Sequence, residues 1–180
     1  MPNSHIVEDY VHSHKEAYRV IAVSIDEHSA EYIFEWATKH FIQPATDQVV
    51  LLNCRAIDGP TMAPYFNPTG FIEEFDETKK LKSHALLKHY ADRLSAMHVA
   101  AIRAIALIGD PKHEIVRKVT EIKAEVLLLG SRQLSAMQRT FLGSVSDYCA
   151  HHAPCTVITI KSHPSHGHYD SKQLLHRKSQ

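Results

Sequence analysis

The sequence lacks any apolar run approaching the roughly 20 residues needed to cross a bilayer as a helix. It also lacks an excess of either charge. Lys plus Arg number 20 and Asp plus Glu number 20. A balanced chain carries no electrostatic footprint for nucleic acid or an anionic membrane, so neither is expected as a partner. Cysteine is scarce: Cys54, Cys149 and Cys155 are the whole set, and no two form a CxxC pair. That excludes a disulfide framework and fits buried, reduced thiols. No Gly-Lys-Ser/Thr is present, which excludes a Walker A loop, and no GxGxxG follows the first apolar run. The opening stretch MPNSHIVEDY is polar and acidic, without a secretory apolar core, so a cytoplasmic protein is expected.

Against those absences stands an ordinary globular composition. The 180 residues are 44% hydrophobic and 22% charged, enough for one domain with a real core. Residues 1–16 read as a flexible polar arm, 17–162 as the folded domain and 163–180 as a disordered polar tail. The fifteen histidines are scattered, so their number implies no metal site. His163, His166 and His168 in the tail read as solvated, with weak metal chelation as the alternative.

Five short apolar, β-branched runs alternate with helical patterns. The strands are expected over 18–26, 48–54, 99–110, 124–130 and 155–161. Between them, Ala30, Ile33, Phe34, Ala37 and Phe41 form one helical stripe, and Leu87, Tyr90, Ala91 and Leu94 another. The third helix begins at Asp110-Pro111, a cap followed by a first-turn proline, and buries Ile115, Val119 and Ile122. The fourth runs from Ser144 to His152. His152 continues its Val145, Tyr148, Cys149 stripe and is expected to be partly buried, while His151 and His152 complement the helix dipole. The order βαβαβαβαβ predicts a Rossmann-like α/β fold: an open parallel sheet with helices on both faces. Ligands in such sheets bind beyond the carboxyl ends of strands, where the strand order reverses.

The segments at those ends carry the candidate chemistry. The first strand ends at Asp26, whose carboxylate suits ribose hydroxyls. The fourth ends at Gly130, and a twelve-residue polar loop leads to Gly143-Ser144-Val145-Ser146 at a helix N-terminus. Free N–H groups and the positive end of the helix dipole make that a natural phosphate site. Arg132 and Arg139 add cations. A plainer account stands beside this one. Ser144-x-x-Asp147 fits a capping box, Gly130 fits a turn, and the arginines fit solvated loop charges.

From about Tyr18 to Lys161 the chain resembles the universal stress protein family. The most specific part is LLLGSRQLSAMQRTFLGSVSDYCAHHAPCTVITIK, which follows the spacing G-x2-G-x9-G-[S/T] of the nucleotide-binding branch. GDPKHEIV and AVSIDEHSAEYIFEWA resemble further family segments. The resemblance implies a five-stranded sheet of order 3-2-1-4-5 and a homodimer pairing along the fifth strand, 155–161. It implies ATP as the ligand, with Mg as an accompanying ion. Carried over, Ser24, Ile25 and Asp26 join the nucleotide site, with Asp26 meeting the ribose and the backbone near Cys54 meeting the adenine. Gly130, Arg132, Gln133, Gly143, Ser144, Val145 and Ser146 lie along the phosphates. Gln133 departs from the pattern by replacing its second glycine. The expected function is a dimeric ATP-binding stress or signalling module. The alternative is a family member acting through protein–protein contacts, its site closed by Gln133. No general base, nucleophile dyad or metal cluster is legible beside the loop, so hydrolysis is expected to be slow or absent. A nucleotide hydrolase or transferase on the same scaffold is the third reading.

Overall fold

The computed structural model describes residues 12–13, 19–56, 71–131 and 143–161, with backbone alone for 12–13 and 71–76. Ten elements follow one another among the described residues: β1 (His12–Ser13), β2 (Arg19–Ser24), α1 (Ala30–His40), β3 (Asp47–Arg55), α2 (Phe71–Ala96), β4 (Ala101–Ile108), α3 (Pro111–Glu121), β5 (Val126–Ser131), α4 (Ser144–His152) and β6 (Thr156–Lys161). They build one sheet of order β1-β4-β3-β2-β5-β6. Counted along the chain, the five parallel strands have the order 3-2-1-4-5, as expected.

The sixth strand was not expected. Within the segment read as an arm, His12–Ser13 pairs antiparallel with Ile102 and Ala101 of β4. Two polar residues carry no period-2 apolar signal, so this pairing is a backbone event without a sequence pattern. It covers part of an edge that would otherwise present unpaired N–H and C=O groups.

The strands read as continuous apolar runs because both faces of the sheet are covered. On one face, Ile21, Val23, Val49 and Leu51 pack against Ile33 and Phe34 of α1 and Leu87, Tyr90 and Leu94 of α2. On the other, Ala22, Val50, Leu52, Leu127 and Leu129 pack against Ile115 and Val119 of α3 and Cys149 of α4. The expected helix stripes are thus the buried ones, with Phe41 and Ile122 partly covered at their ends. Arg93 ties α2 to α1: its guanidinium lies 4.2 Å from the Phe34 ring centre and bonds both oxygens of Glu31. At the amino ends of the strands, Arg19 bonds both carboxylate oxygens of Asp47, which is buried.

Two cap readings separate. Asp110 precedes α3 and its side chain accepts from Lys112 N–H at 3.2 Å, with Pro111 in the first turn, as expected. The capping box at Ser144 does not form. Gly143 is the residue preceding α4, Ser144 already lies inside the helix, and among the described residues no side chain caps this end. A hydroxyl one position too far along cannot fold back onto the first free N–H groups. His152 is also corrected. It is exposed, and its ring stacks on Tyr148 with centroids 4.1 Å apart. His151 Nδ1 lies 2.8 Å from the Asp147 carbonyl oxygen of its own helix. All three cysteines are free, Cys149 buried and the other two half-buried.

Candidate functional site

The chain runs from β2 to β3 on one side and places β5 on the other, so the strand order reverses between β2 and β5. Beyond the carboxyl ends there lies a cleft of about 230 Å³. Ser24, Ile25 and Asp26 enter it from the end of β2, and Cys54 from β3. Gly130 enters from β5, one residue before its end, and Gly143, Ser144, Val145 and Ser146 form the wall at α4. Nine of the eleven residues singled out in the sequence therefore share one cleft. The other two, Arg132 and Gln133, lie outside the described residues, as does Arg139.

The two glycines are there for different reasons. A methyl group on Gly130 would run into the Tyr32 hydroxyl and come within 2.7 Å of Ser29 Cβ and 3.0 Å of Ile33 Cδ1. Glycine at 130 lets α1 lie against the strand end, which is neither the turn nor the ligand reason read from sequence. Around Gly143 the opposite holds. Its backbone, at φ −60° and ψ 154°, suits any residue, and a methyl group there would meet nothing within 4 Å. Among the described residues no contact requires glycine at 143, which itself lines the cleft.

The first hydrogen bond inside α4 runs from Asp147 N–H to the Gly143 carbonyl at 2.9 Å. The N–H groups of Ser144, Val145 and Ser146 precede it and carry the positive end of the dipole. Ser146 is buried, and its hydroxyl donates to the Gly130 carbonyl at 3.1 Å. That bond fixes the helix start against the end of β5. Asp26 has a structural role of its own. Its Oδ1 accepts from His28 N–H at 2.8 Å and Ser29 N–H at 3.1 Å, folding the turn into α1.

Cys54 borders the cleft with its thiol 3.8 Å from the Gly109 carbonyl oxygen. Burial pushes this thiol up to about 12, with Glu114 and Asp110 adding to the rise, so it is neutral near pH 7. Sequence reasoning missed Ser29, Pro111, Ile115 and Leu129, which also line the cleft. Pro111 and Ile115 had been read only as helix start and core, and nothing in their identity announces a second role. Among the described residues, no group of three or more His, Cys, Asp or Glu could hold a metal ion. Among them, too, no helix is long and apolar enough to cross a membrane.

Fold and cleft define a doubly wound α/β protein with a cleft at the switch point of its sheet, the place where ligands bind in such folds. The chain belongs to the universal stress protein family, whose model matches residues 17–161. A universal stress protein A-like protein of Arabidopsis thaliana is 30% identical over 139 residues, covering 74% of this chain and 78% of that one. A solved Arabidopsis thaliana universal stress family structure with AMP bound is similar at TM-score 0.64 and 23% identity, covering 86% of this chain and 98% of that one. A universal stress protein in complex with cAMP aligns at TM-score 0.55 and 20% identity, covering 82% and 100%. At these identities the two structures speak for the fold.

Proposed function

We infer that this chain is an adenine-nucleotide-binding stress or signalling module that works as a homodimer and hydrolyses ATP slowly or not at all. The observation that carries the reading is the start of α4. Among the described residues no side chain caps it, it faces a cleft at the switch point, and it is preceded by a glycine that no contact with them requires. Three N–H groups at a helix N-terminus form a phosphate cradle. A residue larger than glycine at 143 would fill the space through which an anion approaches. AMP and cAMP, bound by the two solved proteins of this fold, are ligands of the same class.

In this reading, Ser144, Val145 and Ser146 hold phosphate oxygens through backbone N–H groups. Asp26 meets the ribose, and the backbone near Cys54 meets the base. Arg132 supplies a cation, and any Mg rides on the phosphates of ATP. Slow hydrolysis is supported by the ionisable groups of the cleft. Among its described residues these are Asp26 and Cys54. One shapes a turn and the other is a neutral thiol, so neither is poised as a base. One residue favours the second reading, a member that acts through protein contacts with a closed site. Gln133 occupies the place of the motif's second glycine.

The test is to purify the full chain, release bound small molecules by heat and identify them by chromatography, then measure ATP uptake by equilibrium dialysis. The expected result is a released adenine nucleotide, or saturable uptake after stripping. An empty protein that takes up nothing at millimolar ATP contradicts the reading.

A further inference from the structure

A second cavity of about 350 Å³ opens on the other side of the strand ends, toward α2. Among its lining residues, Asp26 and Cys54 also line the first cleft. The two spaces thus share lining residues at the ends of β2 and β3. Neither the family motif nor the reading above uses the second one.

Its chemistry is that of an anion site. Among its described lining residues, Arg55, Lys79 and Lys82 bring three cations, against the carboxylates of Asp26 and Glu27. Two neutral polar side chains of its wall, Asn53 and Ser83, are already bonded within the protein. Asn53 Nδ2 donates to the Ile25 carbonyl at 2.8 Å, and Ser83 Oγ donates to Asn53 Oδ1 at 2.6 Å. Asn53 and Ser83 are both buried, so this pair is a fixed wall anchoring α2 to the end of β2. A ligand must then be recognised by the cations. Lys82 is exposed on α2 and makes no ion pair among the described residues, unlike Lys80 with Glu77 and Lys88 with Asp92. Long cationic side chains on a firmly anchored helix, facing a cavity with an excess of positive charge, select phosphate or carboxylate oxygens.

Size points the same way. Small-molecule pockets usually span roughly 300–1,000 Å³. The first cleft falls short of that range by itself, and the second cavity falls inside it, with room for a ligand group of its own.

We propose that the second cavity binds a phosphate carried on the ribose side of a nucleotide seated in the first cleft, with Lys82 and Lys79 as its cationic contacts. The proposal rests on the nucleotide reading, since the ligand crosses from one space to the other at Asp26, the residue assigned to the ribose. The preferred ligand class is then a nucleotide with anionic groups on both sides of the sugar.

Calorimetric titration of the nucleotide-stripped full chain compares AMP with adenosine 3′,5′-bisphosphate, with inorganic phosphate added to the AMP complex as a third arm. The bisphosphate is expected to bind roughly tenfold more tightly than AMP, the scale of one charge-assisted hydrogen bond. Lys82→Ala should cut that advantage, and Lys79→Ala/Lys82→Ala should abolish it. Both variants should keep AMP affinity within about twofold and melt where the parent does, as expected of surface substitutions. AMP binding with no bisphosphate advantage, or an advantage that survives in the double variant, overturns the proposal and leaves the nucleotide reading standing. Inorganic phosphate binding to the AMP complex without a bisphosphate advantage also overturns it, because the cavity then takes a free anion. No AMP binding at all overturns both.

Discussion

Gly130 and Gly143 look alike in the sequence, two glycines bracketing a polar loop, and the structure gives them opposite roles. Gly130→Ala drives a methyl group into Tyr32, Ser29 and Ile33, so it should destabilise the fold by about 1–3 kcal/mol, the usual cost of overpacking. Gly143→Ala meets open space at an ordinary φ, so it should leave stability unchanged or raise it by up to about 1 kcal/mol. Urea denaturation of the two variants reads both effects. The spacing of these glycines was legible in the sequence. Their reasons were not, because a contact with α1 depends on how residues 29–33 fold back over a strand about a hundred positions later.

The cysteines add a pH prediction. Burial lifts Cys54 to about 12 and Cys149 to about 11, from an ordinary value of 9.0. A folded value raised above the unfolded one means that the neutral thiol contributes stability in full below pH 9.0, lost as the pH climbs through 11 and 12. Thermal melts should therefore fall over that alkaline window. The fall should be shallower in Cys149→Ala, whose cost at neutral pH is that of a trimmed core residue.

At the scale of elements, the starts of α3 and α4 form a matched pair. One is capped by Asp110 and the other by no side chain among the described residues. Asp110→Ala should cost about 1 kcal/mol. Ser144→Ala should change stability by less than about 0.5 kcal/mol, because its hydroxyl caps no N–H group. Chemical denaturation distinguishes this from the capping-box expectation, which makes the two losses similar. Element type and order were readable because the strands are unbroken apolar runs and the helices carry clean stripes. The cap at Ser144 was misread because the pattern [ST]-x-x-[DE] fixes spacing but not which residue takes the first helical turn. His12–Ser13 was missed because backbone pairing on an edge needs no particular side chain. The second cavity was missed because Lys79, Lys82 and Ser83 belong to a helix with no motif. What joins them to Asn53 is packing between α2 and β3.

For the whole molecule, the two sheet edges differ. His12–Ser13 covers part of β4, whereas β6 ends the order on the other side, a place suited to pairing with a second copy of the chain. Thr156 N–H donates to the Glu125 carbonyl, so alternation along β6 turns Ile158 and Ile160 N–H toward β5. Val157, Thr159 and Lys161 N–H then face outward. Within the proposed dimer, Thr159→Pro removes a donor from the outer edge and none from the internal ladder. Sedimentation should show a dimer for the parent chain and a shift toward monomer for this variant, with the fold retained. A monomeric parent at micromolar concentration contradicts the dimer. The strand order that creates these edges was expected from the alternation of strands and helices together with the family resemblance. The loop carrying Arg132 and Gln133 lies outside the described residues, so the weight of Gln133 is decided by binding experiments.

The most direct measurement of the central claim is a calorimetric titration of ATP into the stripped full chain, beside Gly143→Val. Saturable binding with one nucleotide per chain, weakened by roughly tenfold or more in the stable variant as the cradle fills, is the predicted result. Binding that is absent in the parent, or equal in the two proteins, would contradict it.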